Sequence, residues 1–343
     1  MAIHKTRGEE IQAFILKNVT EHPENIAKLT ATHFDITRQA VNKHLKKMVA
    51  DATLTQTGKT RNRIYTLGLQ QEWTQSYPLN KNLAEDIVWR NDLSGKIVNL
   101  PDNVQDIWHY SFTEMFNNAK DHSEGSEILV HFKQTIMSTE IFIHDDGYGI
   151  FKKIQDKLNL LDERHAVLEL SKGKLTTDPE HHSGEGIFFS SRMFDQYAIS
   201  SGGVYFSHQY SHPEDWIFER QQFDKGTTVW MKLNNEIKRN VKAIFDEYTS
   251  DDDYGFNKTV VPVKLAQYSN DKLISRSQAK RLLARIELFK IVIFDFMDVE
   301  MIGQAFADEI FRVFAKQHPE IEILFIHANK TVSQMINRAI GKV

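Results

Sequence analysis

Residues 114–150 read EMFNNAKDHSEGSEILVHFKQTIMSTEIFIHDDGYGI, and this stretch decides the fold. Just upstream, Trp108, Phe112, Met115, Phe116 and Ala119 recur at helical spacing, which predicts one helix over residues 103–122 with an apolar stripe against a core. Glu114, Asn118 and His122 follow at i, i+4 and i+8, on a stripe roughly 120° round the helix from the apolar one. One face is therefore buried while a carboxylate and an amide point along another. Alone, such a Glu/Asn pair is most often solvated surface. Residues 127–132 and 140–144 alternate as two neighbouring strands, with Asp145 at the end of the second. Gly147 and Gly149 then permit positive φ and close approach of the backbone to a ligand. Asp-Gly is equally a hairpin turn when read alone.

Downstream, residues 151–183 are polar and contain Ser171-Lys172-Gly173-Lys174-Leu175-Thr176-Thr177. A solvated loop is the plain reading. His182-Ser183-Gly184-Glu185-Gly186 opens an apolar helix over 187–194, whose first N–H groups suit an anion. Gly226-Thr227 precedes an apolar strand over 229–233.

These four short boxes, E-x-x-x-N-A-x-x-H, D-x-G-x-G-I, G-E-G-I and G-T, resemble in order the N, G1, G2 and G3 boxes of the GHKL ATPase superfamily, to which gyrase and the histidine kinases belong. The resemblance implies a Bergerat-type α/β sandwich over 80–245 that binds ATP and Mg²⁺. It implies that Asn118 ligates Mg²⁺ through its side-chain oxygen and that Glu114 polarises the attacking water. Asp145 would accept a hydrogen bond from the adenine amino group, with the Thr227 hydroxyl beside it. Residues 151–183 would be the ATP lid, with Lys172, Lys174 and Thr176 reaching phosphates. His122, Gly147, Gly149, Gly184 and Gly186 complete the expected nucleotide site. The second glycine box departs from the fuller G-x-G-L-G of histidine kinases, because G-E-G-I-F-F stands here.

Residues 1–68 carry 11 Lys/Arg against 6 Asp/Glu, although the whole chain has a net charge of −4. A basic head on an acidic body suits a polyanion met by the head alone, or a solvated charged surface. Three short helical patterns precede two strand-like runs, 54–57 and 63–67, on either side of the basic turn Gly58–Asn62. Helix, short turn, helix and hairpin resemble a winged helix over 1–70. The third helix, capped by Thr37, turns Arg38, Gln39, Asn42, Lys43 and Lys46 away from its apolar stripe, where such side chains can read a major groove. Lys59 and Arg61 on the wing would meet phosphates. A winged helix that binds protein is the alternative.

Residues 255–343 alternate strands and helices, an α/β layer pattern. The run DFMDVEMIGQAFADE resembles STAS-like domains of the DUF4325 type, related in shape to anti-anti-sigma factors. Those factors carry a phosphorylated serine before a helix-start glycine. Here Met301-Ile302-Gly303 offers no acceptor, which leaves a switchable protein-binding surface. Asp295, Asp298 and Glu300 cluster at a strand end, most simply as structural or solvated groups.

The reading is thus an α/β multidomain chain: winged helix, GHKL sandwich, STAS-like domain. At 343 residues two or three domains are expected. The absence of cysteine excludes disulfides and thiolate metal sites. Neither a signal-peptide-like start nor an apolar run of about 20 residues is seen, so a cytoplasmic protein with no membrane partner is expected. The expected function is an ATP-binding regulator, a slow Mg²⁺-dependent ATPase whose nucleotide state controls DNA or partner binding. An anti-sigma-type serine/threonine kinase acting on a separate partner and a non-hydrolysing ATP sensor are the alternatives. A homodimer would suit paired DNA half-sites.

Overall fold

The structure is a computed structural model, which describes residues 6–176, 184–249, 255–267 and 272–341. It is mixed α/β with three separate sheets. Three helices come first, Arg7–Asn18, Ile26–Phe34 and Arg38–Ala50. Thr6 and Glu9 form a reciprocal capping box on the first, and Thr37 caps the third through the Ala40 N–H at 3.2 Å. Strands β1 (Leu54–Thr57) and β2 (Ile64–Leu67) pair antiparallel behind them. Ile11, Ile15, Val19, Ile26, Val41, Leu45 and Met48 close a small hydrophobic core of their own.

Only Gly68 separates β2 from β3 (Leu69–Pro78), which joins the large sheet. That sheet therefore begins ahead of the expected boundary at residue 80. Its strand β3 escaped the sequence reading because it is an edge strand. Among its ten residues, Trp73 and Tyr77 pack on the core, and most of the others are exposed. The remaining strands are β4 (Glu127–Thr135), β5 (Ser138–Asp145), β6 (Gln196–Gln209) and β7 (His212–Asn234). They form the antiparallel order β3-β4-β5-β7-β6. The long helix Asp102–His122 lies across one face and buries Trp108, Phe112, Met115, Phe116 and Ala119, the stripe expected from spacing.

The stretch expected to be a polar lid loop is largely helical, with Ile150–Leu158 and Glu163–Lys172. Asp162 caps the second through the His165 N–H at 2.9 Å, and Ala166, Val167 and Leu170 are buried. The helix Gly186–Met193 follows. A third, parallel sheet has the order β10-β9-β8, from β8 (Lys258–Pro262), β9 (Ile291–Asp295) and β10 (Glu322–Ile326). Helices Arg276–Leu283 and Lys330–Ala339 and a helical run over 304–317 cover it. The helix Arg276–Leu283 ends where Ala284 turns to φ −57°, ψ 130°, and Arg285 follows in the left-handed region at φ 63°. One hydrophobic core joins the large sheet, its helices and this C-terminal unit. No helix among the described residues is long and apolar enough to cross a membrane.

Candidate functional site

A cavity of about 240 Å³ opens between the long helix, the sheet and the segments around 150–154, 170–176 and 184–187. Glu114, Asn118 and His122 line one wall beside Met115 and Ala119. Ile143 and Asp145 of β5 and Thr227 and Val229 of β7 form the floor. Ile150, Lys153, Ile154, Leu170, Leu175, Thr176, Gly184, Gly186 and Ile187 close the other side. Eight residues expected at a nucleotide site therefore meet at one place: Glu114, Asn118, His122, Asp145, Thr176, Gly184, Gly186 and Thr227.

Asp145 is only 4% exposed. Its Oδ1 accepts the Gly147 N–H at 3.0 Å and the Thr227 N–H at 3.2 Å. Burial raises its carboxyl above the usual range, against the pull of those two N–H groups. Its neighbour is treated oppositely. Asp146 accepts the N–H groups of Ser126 and Glu127 and the Ser126 hydroxyl, which hold its carboxyl well below the usual range. One aspartate faces the cavity, and the other fastens the turn behind it. The Thr227 hydroxyl accepts the Ile150 N–H at 3.0 Å, tying β7 to the helix that follows β5. Gly147 and Gly149 do not line the cavity but shape its rim. A Cβ at Gly147 would overlap the Ser123 carbonyl, and Gly149 sits at φ 96°.

On the opposite wall, a Cβ at Gly186 would overlap Oε2 of Glu114, so the carboxylate lies directly against the start of the 186–193 helix. Burial raises the half-buried Glu185 carboxyl. Burial, and after it the charges of Glu114 and Glu185, push the Tyr110 hydroxyl upward.

Two expected residues lie elsewhere. Lys172, fully buried, donates to Glu169 Oε1 at 2.7 Å and to the carbonyls of Ala284 and Arg281 at 2.8 and 3.3 Å. Lys174 donates to the Leu288 carbonyl at 2.9 Å and lies over the Phe289 ring. Both lysines serve the junction with the C-terminal unit and do not line the cavity. Thr177 falls outside the described residues. Among the described residues, the Lys or Arg that lines the cavity is Lys153, which the sequence reading passed over. Its Nζ donates to the His122 carbonyl at 2.8 Å and to Glu124 at 2.6 Å. Its place one turn into the helix after D-x-G-x-G-I was the available signal.

No described residue of the N-terminal cluster lines this cavity. Arg38, Gln39, Lys43 and Lys46 are exposed on the third helix, Asn42 is half-buried there, and Lys59 is exposed on the hairpin. The Arg61 side chain lies outside the described residues. In the C-terminal unit, Asp295 accepts the Met297 N–H at 2.9 Å and pairs with His327 at 2.8 Å, a structural arrangement.

Residues 278–333 match the family described as a STAS-like domain of unknown function, DUF4325. No curated protein matches the chain.

Proposed function

We propose that this protein is a nucleotide-operated regulator, in which a GHKL-type ATP-binding sandwich stands between a winged-helix head and the STAS-like tail. The supporting observation is the convergence of Glu114, Asn118, His122, Asp145 and Thr227 with Gly184 and Gly186 on one cavity. In this reading the adenine amino group donates to Asp145, and the ring lies among Met115, Ile143, Ile154 and Val229. The phosphates run toward Gly184, Gly186 and Thr176, with Lys153 near them. Asn118 offers an amide oxygen to Mg²⁺, an ion that takes few protein ligands and keeps waters and phosphate oxygens. The donor chemistry fits a hard cation, because Asn118 and Glu114, both bearing side-chain oxygens, line the same cavity. When bound, Mg²⁺ would neutralise phosphate charge.

Glu114 takes the proton of a water whose oxygen bonds to the γ-phosphorus as the bond to the bridging oxygen breaks, releasing ADP and phosphate. The carboxylate's position against Gly186 puts a base beside the N–H groups proposed to hold the phosphates. The exposed Arg38, Gln39, Lys43 and Lys46 serve DNA contact, with Lys59 on the wing.

Calorimetric titration of ATP with Mg²⁺ tests the reading. Asp145→Asn should weaken binding by about 30-fold, the scale of one charged hydrogen bond. Asn118→Ala should abolish the Mg²⁺ dependence, and Glu114→Ala should bind ATP without turnover. Unchanged affinity in both the Asp145 and Asn118 variants removes the nucleotide site. With γ-labelled ATP, free phosphate marks an ATPase, labelled partner protein a kinase, and retained ATP a sensor.

A further inference from the structure

The wall of the cavity over 170–176 is held from outside by residues of the C-terminal unit. Arg285 Nη1 donates to Glu169 Oε2 at 3.2 Å, and its Nη2 donates to the Lys174 carbonyl. The other oxygen of Glu169, a residue 1% exposed, takes Lys172 at 2.7 Å. Thr259 of β8 donates to the Lys172 carbonyl at 2.7 Å, and the Lys174 ammonium ends on Leu288. On the inner side, Leu170, Leu175 and Thr176 line the cavity. The Leu175 N–H also donates to the Gly184 carbonyl at 3.2 Å, so a shift of Leu175 carries Gly184 with it.

The backbone geometry adds a second, independent observation. Lys174 at φ 52° and Arg285 at φ 63° both occupy the left-handed region, which side chains of this kind rarely adopt. The two bind each other. Such a conformation persists only where its surroundings over-determine it, and it gathers at clamps and switches.

We propose that Arg285 is a positioning residue of the nucleotide cavity: it holds Lys174 and Glu169 so that Leu175, Thr176 and Gly184 keep their places in the cavity wall. The identity of the ligand rests on the function proposed above, but the clamp itself does not. Through it, ATP in the cavity and the state of the STAS-like unit bias one another by the same factor, as linkage requires. A partner that pulls on the 281–289 segment would then loosen ATP, and ATP would tighten that segment.

The full chain with Arg285→Ala should bind ATP about tenfold more weakly, within the usual range of coupling between sites. The amides of residues 173–176 should also exchange faster in protein free of nucleotide, a readout that needs no ligand. Arg285→Lys can reach one of the two acceptors and should recover part of both effects. Arg312→Ala, which breaks an exposed pair with Asp308 in the same unit, should change neither. Wild-type exchange at 173–176 in Arg285→Ala would overturn the proposal, as would wild-type ATP affinity. If the wild-type chain binds no ATP, the proposed function fails, and the exchange comparison still decides the clamp. If Arg285→Ala loses its cooperative melting transition, Arg285→Lys and Arg285→Gln carry the same two measurements.

Discussion

The two sides of the cavity are built by different means. The strand side, from Asp145 to Ile150 with Thr227, is fastened by its own neighbours: Asp145 to the N–H groups of Gly147 and Thr227, Thr227 to Ile150, and Tyr148 to Ser123. The loop side, from Leu170 to Thr176, is fastened by Thr259, Ala284, Arg285 and Leu288, residues far along the chain. A wall bonded within its own sheet moves only if the sheet breaks. A wall bonded to another unit can move when that unit does, which is what a switch requires. The first wall is suited to recognising a ligand and the second to reporting it.

The largest effect should come from adding a methyl group to each side. Gly226 sits at φ 75°, and a Cβ there would overlap the backbone carbonyl of Asp145. Gly226→Ala should therefore cost roughly 4 kcal/mol, because backbone in a central strand pair cannot yield. Gly173, at φ 83°, would direct its Cβ at ring atoms of Phe256 and Phe188 from 2.6 Å, a milder overlap with side chains instead of backbone. Gly173→Ala should cost about 2 kcal/mol. Urea unfolding of the two variants measures this, and equal losses would break the contrast between a fixed and a yielding wall.

The adjacent aspartates sharpen the strand side. Burial raises the Asp145 carboxyl, so its ionised form is less favourable in the folded protein than in the unfolded chain. Folding then takes up a proton between the ordinary aspartate range and the raised folded value. Stability falls as pH rises through that window. Asp145→Asn removes this loss and should become more stable relative to wild type as pH rises through it, even as ATP binding weakens. Asp146 is held low chiefly by Ser126, so its contribution is present above the ordinary range and is lost as pH falls below it. The advantage of wild type over Asp146→Asn should therefore shrink on acidification. Melting temperatures across acid to neutral pH should show opposite slopes for these two variants. Parallel slopes would mean that the buried and half-buried carboxylates are not distinct.

This contrast also explains what could be read from sequence. The helix over 102–122 and its Glu114, Asn118 and His122 stripe were legible because a 3.6-residue period is local information. The same holds for Asp145 at a strand end before two glycines. Lys172 and Lys174 were misread because their acceptors at 281–288 lie more than a hundred residues away. A lysine in a polar stretch has the same local pattern whether it meets phosphate or a carbonyl. Strand β3 was missed because an edge strand need bury little, and Leu69–Pro78 buries mainly one side of Trp73 and Tyr77.

The smallest expected effect on stability lies at the N-terminal cluster, which has its own hydrophobic core and places Arg38 and Lys43 on an exposed surface. Exposed substitutions of this kind usually change stability by less than about 0.5 kcal/mol. The Arg38→Ala, Lys43→Ala double variant should therefore melt with the wild type and keep whatever affinity the cavity has for the proposed nucleotide. Each lost phosphate contact removes about 0.9 from the slope of log affinity against log salt, so a DNA-binding head should lose roughly 2 units of slope. If the two side chains read bases, the slope should stay nearer wild type while discrimination between sequences weakens. A head that shows no DNA affinity at low salt, in either form, is instead a protein-binding module. In that case the tie from the loop side of the cavity to the STAS-like unit is the better place to seek the output of the proposed switch.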